Sequence, residues 1–202
     1  MYFSKITLNP SSARVRKELS NIYEFHRTIK RAFPLIKDIE GKTSFLYRIE
    51  KPSDALNGIP VYFVSEEKPG WNEIIAIDKY LFTEPEKCKN YNPYVNPGMT
   101  FSFRLRANPT VKRNEKRIGL YKEKEQIDWF TRKAGENGFI IHQIYITNEG
   151  LIENRSTKQL AFLSIIYDGT LRVTDVDLFK NALFHGIGSA KGFGFGLLTI
   201  AR

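Results

Sequence analysis

Tyr23, His26, Arg27, Lys30 and Arg31 recur at intervals of three and four residues between 21 and 33, the spacing that stacks side chains on one helix face. Such a face would present a phenol, an imidazole and three cations together. Imidazole exchanges its proton near neutral pH, and cations beside it would hold a phosphodiester where that proton can be used. A solvated basic helix with an incidental histidine would show the same spacing. Ile22, Phe25, Ile29 and Phe33 supply the apolar stripe of this helix, which Ser20 is placed to cap and Pro34 to stop. The other histidines carry less. His142 falls in an alternating strand pattern, and His185 ends a helix whose dipole favours a cation.

A second candidate is the run 186–196, which holds five glycines in eleven residues: Gly186, Gly188, Gly192, Gly194 and Gly196, with Lys191 among them. Glycines permit close backbone approach and expose amide N–H groups, which suits phosphate. The order GxGxxK, followed by a strand and not a helix, excludes a dinucleotide fingerprint, and no GKS or GKT makes it a P-loop. A tight turn required by packing would also use these glycines. Phe193 and Phe195 could stack on bases, though a place beneath the loop suits them better. The third candidate is the alternating 101–109, which puts Arg104 and Arg106 on one strand face, followed by Lys112, Arg113, Lys116 and Arg117. A solvated outer face would read the same way. Neither HExxH, paired cysteines nor GxSxG occurs, so acid–base chemistry on a bound anion is what the residues offer.

Composition agrees with an anionic partner. Lys and Arg number 31 against 22 Asp and Glu, a formal charge of +9 over 202 residues, which predicts attraction to polyanions without choosing among RNA, DNA and an acidic membrane. The single Cys88 excludes an internal disulfide framework and suits a reducing compartment. MYFSKITLNP lacks a signal-peptide pattern, and the apolar runs are too short to span a bilayer, so a soluble, cytoplasmic protein is expected.

Patterning predicts strands at 2–8, 44–50, 59–65, 100–107, 139–147, 159–167 and 170–174, with a final short strand over 196–201. Asp168-Gly169 is read as the turn of a hairpin between 159–167 and 170–174. Helices are predicted over 21–33, over 122–137 ended by Gly138, and after Asp175 with Val176, Phe179 and Leu183 inward; 71–81 fits helix or strand. The content is α+β, that of two tandem βαββαβ, ferredoxin-like units, with the first expected over 1–111 and the second over 112–202.

MYFSKITLNP, NIYEFHRTIKRAFP, FRLRANPTVKR and HGIGSAKGFGFGLLTIAR, with DGTLRVTD before the last helix, occur in the order found in the CasE family. The chain thus resembles the CRISPR repeat-processing endoribonucleases of type I-E systems. The resemblance implies two tandem ferredoxin-like (RRM-like) domains that bind the hairpin of CRISPR repeat RNA. It implies one cut at the 3′ base of the stem by 2′-OH attack, with neither metal nor other cofactor, leaving 5′-OH and 2′,3′-cyclic phosphate ends. It further implies that the protein stays on the crRNA beside other Cascade subunits in the prokaryotic cytoplasm. His26 matches the family's catalytic histidine and Tyr23 an associated tyrosine. Arg27 and Arg31 match basic positions near the scissile phosphate, with Lys30 on the same face. Gly186, Gly188, Lys191, Gly192, Gly194 and Gly196 match its glycine-rich loop, and Arg155 and Lys158 fall where its groove-entering basic hairpin would be. A neutral phenol is a poor base at pH 7, so Tyr23 would orient the phosphate or nucleophile, while His26 serves as acid or base. The alternative from another class is a non-catalytic module that binds the RNA hairpin through the same basic surface.

Overall fold

The computed structural model describes residues 1–33, 45–52, 57–114, 116–153 and 161–202. The described chain forms two compact units, one within Met1–Asn92 and the other from Pro93–Ile152 and Ala161–Arg202.

The first unit contains β1 (Tyr2–Leu8), α1 (Ala13–Leu19), α2 (Ile22–Lys30), β2 (Phe45–Ile49), β3 (Ile59–Ser65), α3 (Asn72–Ile75), β4 (Leu81–Thr83) and β5 (Lys89–Asn90). Its sheet order is β2-β3-β1-β4, with the short β5 also on β1. β1 and β3 run antiparallel from Tyr2 opposite Ser65 to Leu8 opposite Ile59. β1 and β3 place Ile6, Leu8, Val61 and Phe63 in the core, where α2 adds Phe25 and Ile29. Burial of such side chains is worth roughly 1.5–3 kcal/mol each before entropy is counted. The helix expected after Ser20 is α2, which ends at Lys30, and an unexpected helix, α1, precedes it. Ser20 closes α1, its Oγ donating to the Lys17 carbonyl at 2.8 Å, and Asn21 is the N-cap of α2. Beyond Lys30, i→i+3 bonds from the amides of Arg31, Ala32 and Phe33 tighten the chain, which keeps Ala32 and Phe33 buried.

The second unit contains β6 (Thr100–Ala107), β7 (Thr110–Arg113), β8 (Lys116–Gly119), α4 (Glu123–Glu136), β9 (Phe139–Glu153), β10 (Ala161–Val173), α5 (Val176–His185) and β11 (Leu198–Ala201). Its sheet order β11-β6-β10-β9 repeats the fourth-first-third-second arrangement of the first unit, so both are ferredoxin-like. The β7–β8 ribbon is an insertion into that scheme. α4 and α5 cover one face: Phe130 packs on Tyr167 with ring centres 4.6 Å apart, and Phe101 on Phe179 at 6.3 Å. Asp175 caps α5 as expected, accepting from the Leu178 amide at 3.0 Å. Gly138, at φ 73°, ends α4, and its carbonyl accepts from both Thr174 N at 2.8 Å and Asp175 N at 3.0 Å.

Two expectations change. β6 pairs with β10 and β11, so it lies in the second sheet, and the units divide at Asn92/Pro93 and not near 111. Asp168-Gly169 makes no turn, because β10 runs unbroken from Ala161 to Val173. Gly169 is there for proximity: a Cβ would lie 1.9 Å from the Gln143 carbonyl oxygen of β9. The two strands flanking 154–160 are neighbours in the sheet, while Arg155 and Lys158 lie outside the described residues.

Candidate nucleic-acid site

In the first unit, the amphipathic pattern of α2 turns Phe25 and Ile29 inward and leaves His26 at the margin, half-buried. Its ring stacks on Phe45 of β2 at 5.3 Å and 14°, and lies 6.2 Å from Tyr47. Both rings are buried, so the imidazole rests on a rigid aromatic floor. Tyr23, one turn earlier, is 52% exposed. Arg27 pairs with Glu24, and Arg31 Nε lies 2.9 Å from Glu73 Oε2. Exposed pairs of this kind are worth about 0–1 kcal/mol, so either arginine can exchange its carboxylate for a phosphate at little cost.

What fixes α2 is a buried carboxylate. Glu18, 6% exposed, accepts from Arg14 Nε at 2.9 Å, Thr28 Oγ1 at 2.9 Å and Tyr80 OH at 2.5 Å. Burial first, and then the bond to Glu18, pushes the Tyr80 phenol far above its ordinary range, so it remains a donor. Thr28 shares α2 with His26, so this network sets the register of the helix. Neither Phe45 nor Glu18 was among the residues singled out by sequence. Each acts on α2 from another element, and spacing along one helix carries no trace of that.

In the second unit, the glycine loop follows α5. Gly186, Gly188, Gly194 and Gly196 have φ of 75°, 87°, 81° and 86°, a region L side chains avoid. The loop is pinned by Ile187 N donating to Gly196 O at 2.9 Å and Gly196 N to Arg106 O at 2.7 Å. A Cβ at Gly188 would come 3.2 Å from the Trp129 ring, and one at Gly196 2.9 Å from Ile187 O. These two glycines therefore serve packing as well as any ligand. Phe193 stacks on Phe162 at 5.0 Å, and Phe195, fully buried, packs against the same ring tilted by 52° at 5.8 Å. The Phe195 ring thus supports the loop from below.

Arg104 and Arg106 occupy one sheet face, but with different fates. Arg104 is exposed and forks onto Asp168 at 2.7 and 3.0 Å. Arg106 is corrected from a surface contact to a buried one. It is 8% exposed, Nε donates to Ser164 Oγ at 2.9 Å and lies 2.9 Å from Glu149 Oε2, and its guanidinium sits 5.2 Å over Phe195. On the helix side, a cavity of about 540 Å³ opens between the β7–β8 ribbon, α4, α5 and the loop, with Lys112, Arg117, Lys133, His185 and Lys191 on its lining. Lys133 comes from α4, too far along the chain for the basic cluster at 104–117 to announce it. Among the described residues no group of three or more His, Cys, Asp or Glu is placed to hold a metal ion.

The whole chain, residues 1–202, matches the family model described as CRISPR associated protein. It is 30% identical over 216 residues to the CRISPR-associated endoribonuclease Cse3 of Thermus thermophilus, covering all of both chains. It is 27% identical to the CRISPR system Cascade subunit CasE of Escherichia coli, covering 100% of this chain and 99% of that one. A solved structure of Thermus thermophilus Cse3, bound to an RNA representing a pre-cleavage complex, superposes with a TM-score of 0.88 at 29% identity, covering 100% of this chain and 98% of that one. With the same double ferredoxin-like topology and end-to-end coverage, this chain belongs to the CRISPR-associated proteins of the CasE family, which serve type I-E Cascade.

Proposed function

We propose that this chain is a metal-independent endoribonuclease that binds the stem-loop of CRISPR repeat RNA, cuts precursor crRNA at the 3′ base of the stem, and stays bound as a Cascade subunit. The observation that carries the reading is His26, half-buried on the Phe45 ring with Tyr23 one turn away, in a chain that matches a named endoribonuclease from end to end. In the reaction the ribose 2′-oxygen forms a bond to the adjacent phosphorus and the bond from phosphorus to the 5′-oxygen breaks. The 2′-OH proton leaves to a base and the departing 5′-oxygen gains one from an acid. His26 supplies one of these two transfers, and the aromatic floor holds its ring in place for it. Tyr23 orients the phosphate or the nucleophile by hydrogen bonding. Arg27, Lys30 and Arg31 attract the RNA backbone and offset the charge that builds on phosphorus, and the amides of the glycine loop suit a backbone phosphate.

Such a protein works in the prokaryotic cytoplasm. Among the described residues no helix is long and apolar enough to cross a membrane. The test is incubation of the purified protein with a repeat hairpin in EDTA. Cleavage should persist, yield a 2′,3′-cyclic phosphate, and stop when a single 2′-deoxy nucleotide replaces the one at the cut. Tight binding with no product would instead make the chain a non-catalytic hairpin-binding module.

A further inference from the structure

The cavity beside the glycine loop has a cationic wall that the cutting reaction does not require. At about 540 Å³ it is the size of a small-ligand site. An RNA duplex carries its phosphates on the outside of a wide helix and can touch only the rim of such a recess. An unpaired nucleotide can be turned into it. We propose that this cavity holds one unpaired nucleotide next to the hairpin stem, with its phosphate against Lys112, Arg117 and Lys191. The proposal rests on the RNA-binding reading above.

Three features support it. The ribbon register sets Lys112 directly opposite Arg117, so two cations stand side by side on the cavity wall. A phosphate seated there would meet both charges at once. Across the cavity Lys191 is half-buried and makes no ion pair with a described residue, whereas Lys133 is already matched by Glu136 at 2.6 Å. Burial first, and then the charge of Lys133, hold the Lys191 ammonium below the usual lysine range, a strain that an incoming phosphate relieves. Finally, Asn181 and Asn137 are on the same lining, the latter with its Nδ2 donating to the Lys133 carbonyl at 2.7 Å, and asparagine side chains are of the kind that read base edges.

The test uses the full chain and hairpins made uncleavable by a 2′-deoxy nucleotide at the cut, either bare or with unpaired flanks on both sides. Wild type should bind the flanked RNA about tenfold more tightly, the worth of one well-held base. Lys191→Gln and Lys112→Glu should each erase that preference and flatten the salt dependence of binding by about one phosphate contact. Lys112→Glu places opposite charges across the ribbon, so loss of folding does not confound it. A titration with UMP separates the sources: saturable binding that both variants lose, without any flank preference, identifies a free nucleotide as the ligand of the same cavity. Flank preference that survives in both variants, or no preference together with no UMP binding, overturns the proposal. Binding and cleavage of the bare hairpin read the nuclease assignment independently.

Discussion

The unit within Met1–Asn92 and the unit that follows Pro93 share a strand order, yet one presents a side chain and the other a backbone. His26 projects from a regular helix onto an aromatic floor, while 186–196 offers amides through residues with φ near 75–87°. Behind each lies one buried charge, of opposite sign. Glu18 accepts from three donors and ties α2 to α1 and to Tyr80. Arg106 pairs with Glu149 and Ser164 and lies over Phe195, while its carbonyl accepts from Gly196 N. Buried charges with full hydrogen bonding add little net stability but specify one arrangement. The difference is that a helix needs one anchor to place a ring, whereas a loop needs glycine geometry, a ring beneath it and a pinned carbonyl together.

The comparison breaks most visibly at His26. His26→Ala should slow single-turnover cleavage by roughly 10²–10⁴-fold while the affinity for the hairpin holds; cutting at the wild-type rate would remove the side chain from its assigned place. Next comes Gly169, a glycine that serves the scaffold and no ligand. Gly169→Ala drives a Cβ into the Gln143 carbonyl, and denaturant unfolding should register a loss of about 3 kcal/mol. Stability unchanged by this substitution would mean that β9 yields at that point. The smallest effect is expected at the anchor of α2. Glu18→Gln sets an amide donor among three donors and should cost about 2 kcal/mol. Because a single amide oxygen cannot serve both Thr28 and Tyr80 as the two carboxylate oxygens do, α2 loses part of its tie. Cleavage should fall several-fold beyond what unfolding explains, and a variant that is merely less stable would argue against an anchoring role.

Much of this was legible from pattern. The strands Tyr2–Leu8, Ile59–Ser65 and Thr100–Ala107 agree with their alternation to the residue, and the helix expected over 122–137 runs from Glu123 to Glu136. Each presents one apolar face to one core, so local period and tertiary burial agree. Ala13–Leu19 escaped notice because ARVRKEL carries too few apolar residues to show a period. Asp168-Gly169 misled because an extended glycine demanded by a neighbouring strand looks, in sequence, like a turn. At the candidate site, helical spacing placed His26 on one face with Tyr23, Arg27 and Lys30, and only the family resemblance set it apart from an incidental histidine. The fate of Arg106 was hidden because Glu149 and Phe195, which enclose it, reach it from other parts of the sheet and the loop.

The Gly138 carbonyl, which accepts from the amides of Thr174 and Asp175, has a consequence for how such a chain can diverge. β9 starts beside that carbonyl and β10 ends beside it, so the two strands leave one hydrogen-bonded point and return to it. Insertions or deletions at the far end of that excursion therefore leave the end of α4 and the start of α5 where they are. Changes of length between the two strands would keep the core that carries them.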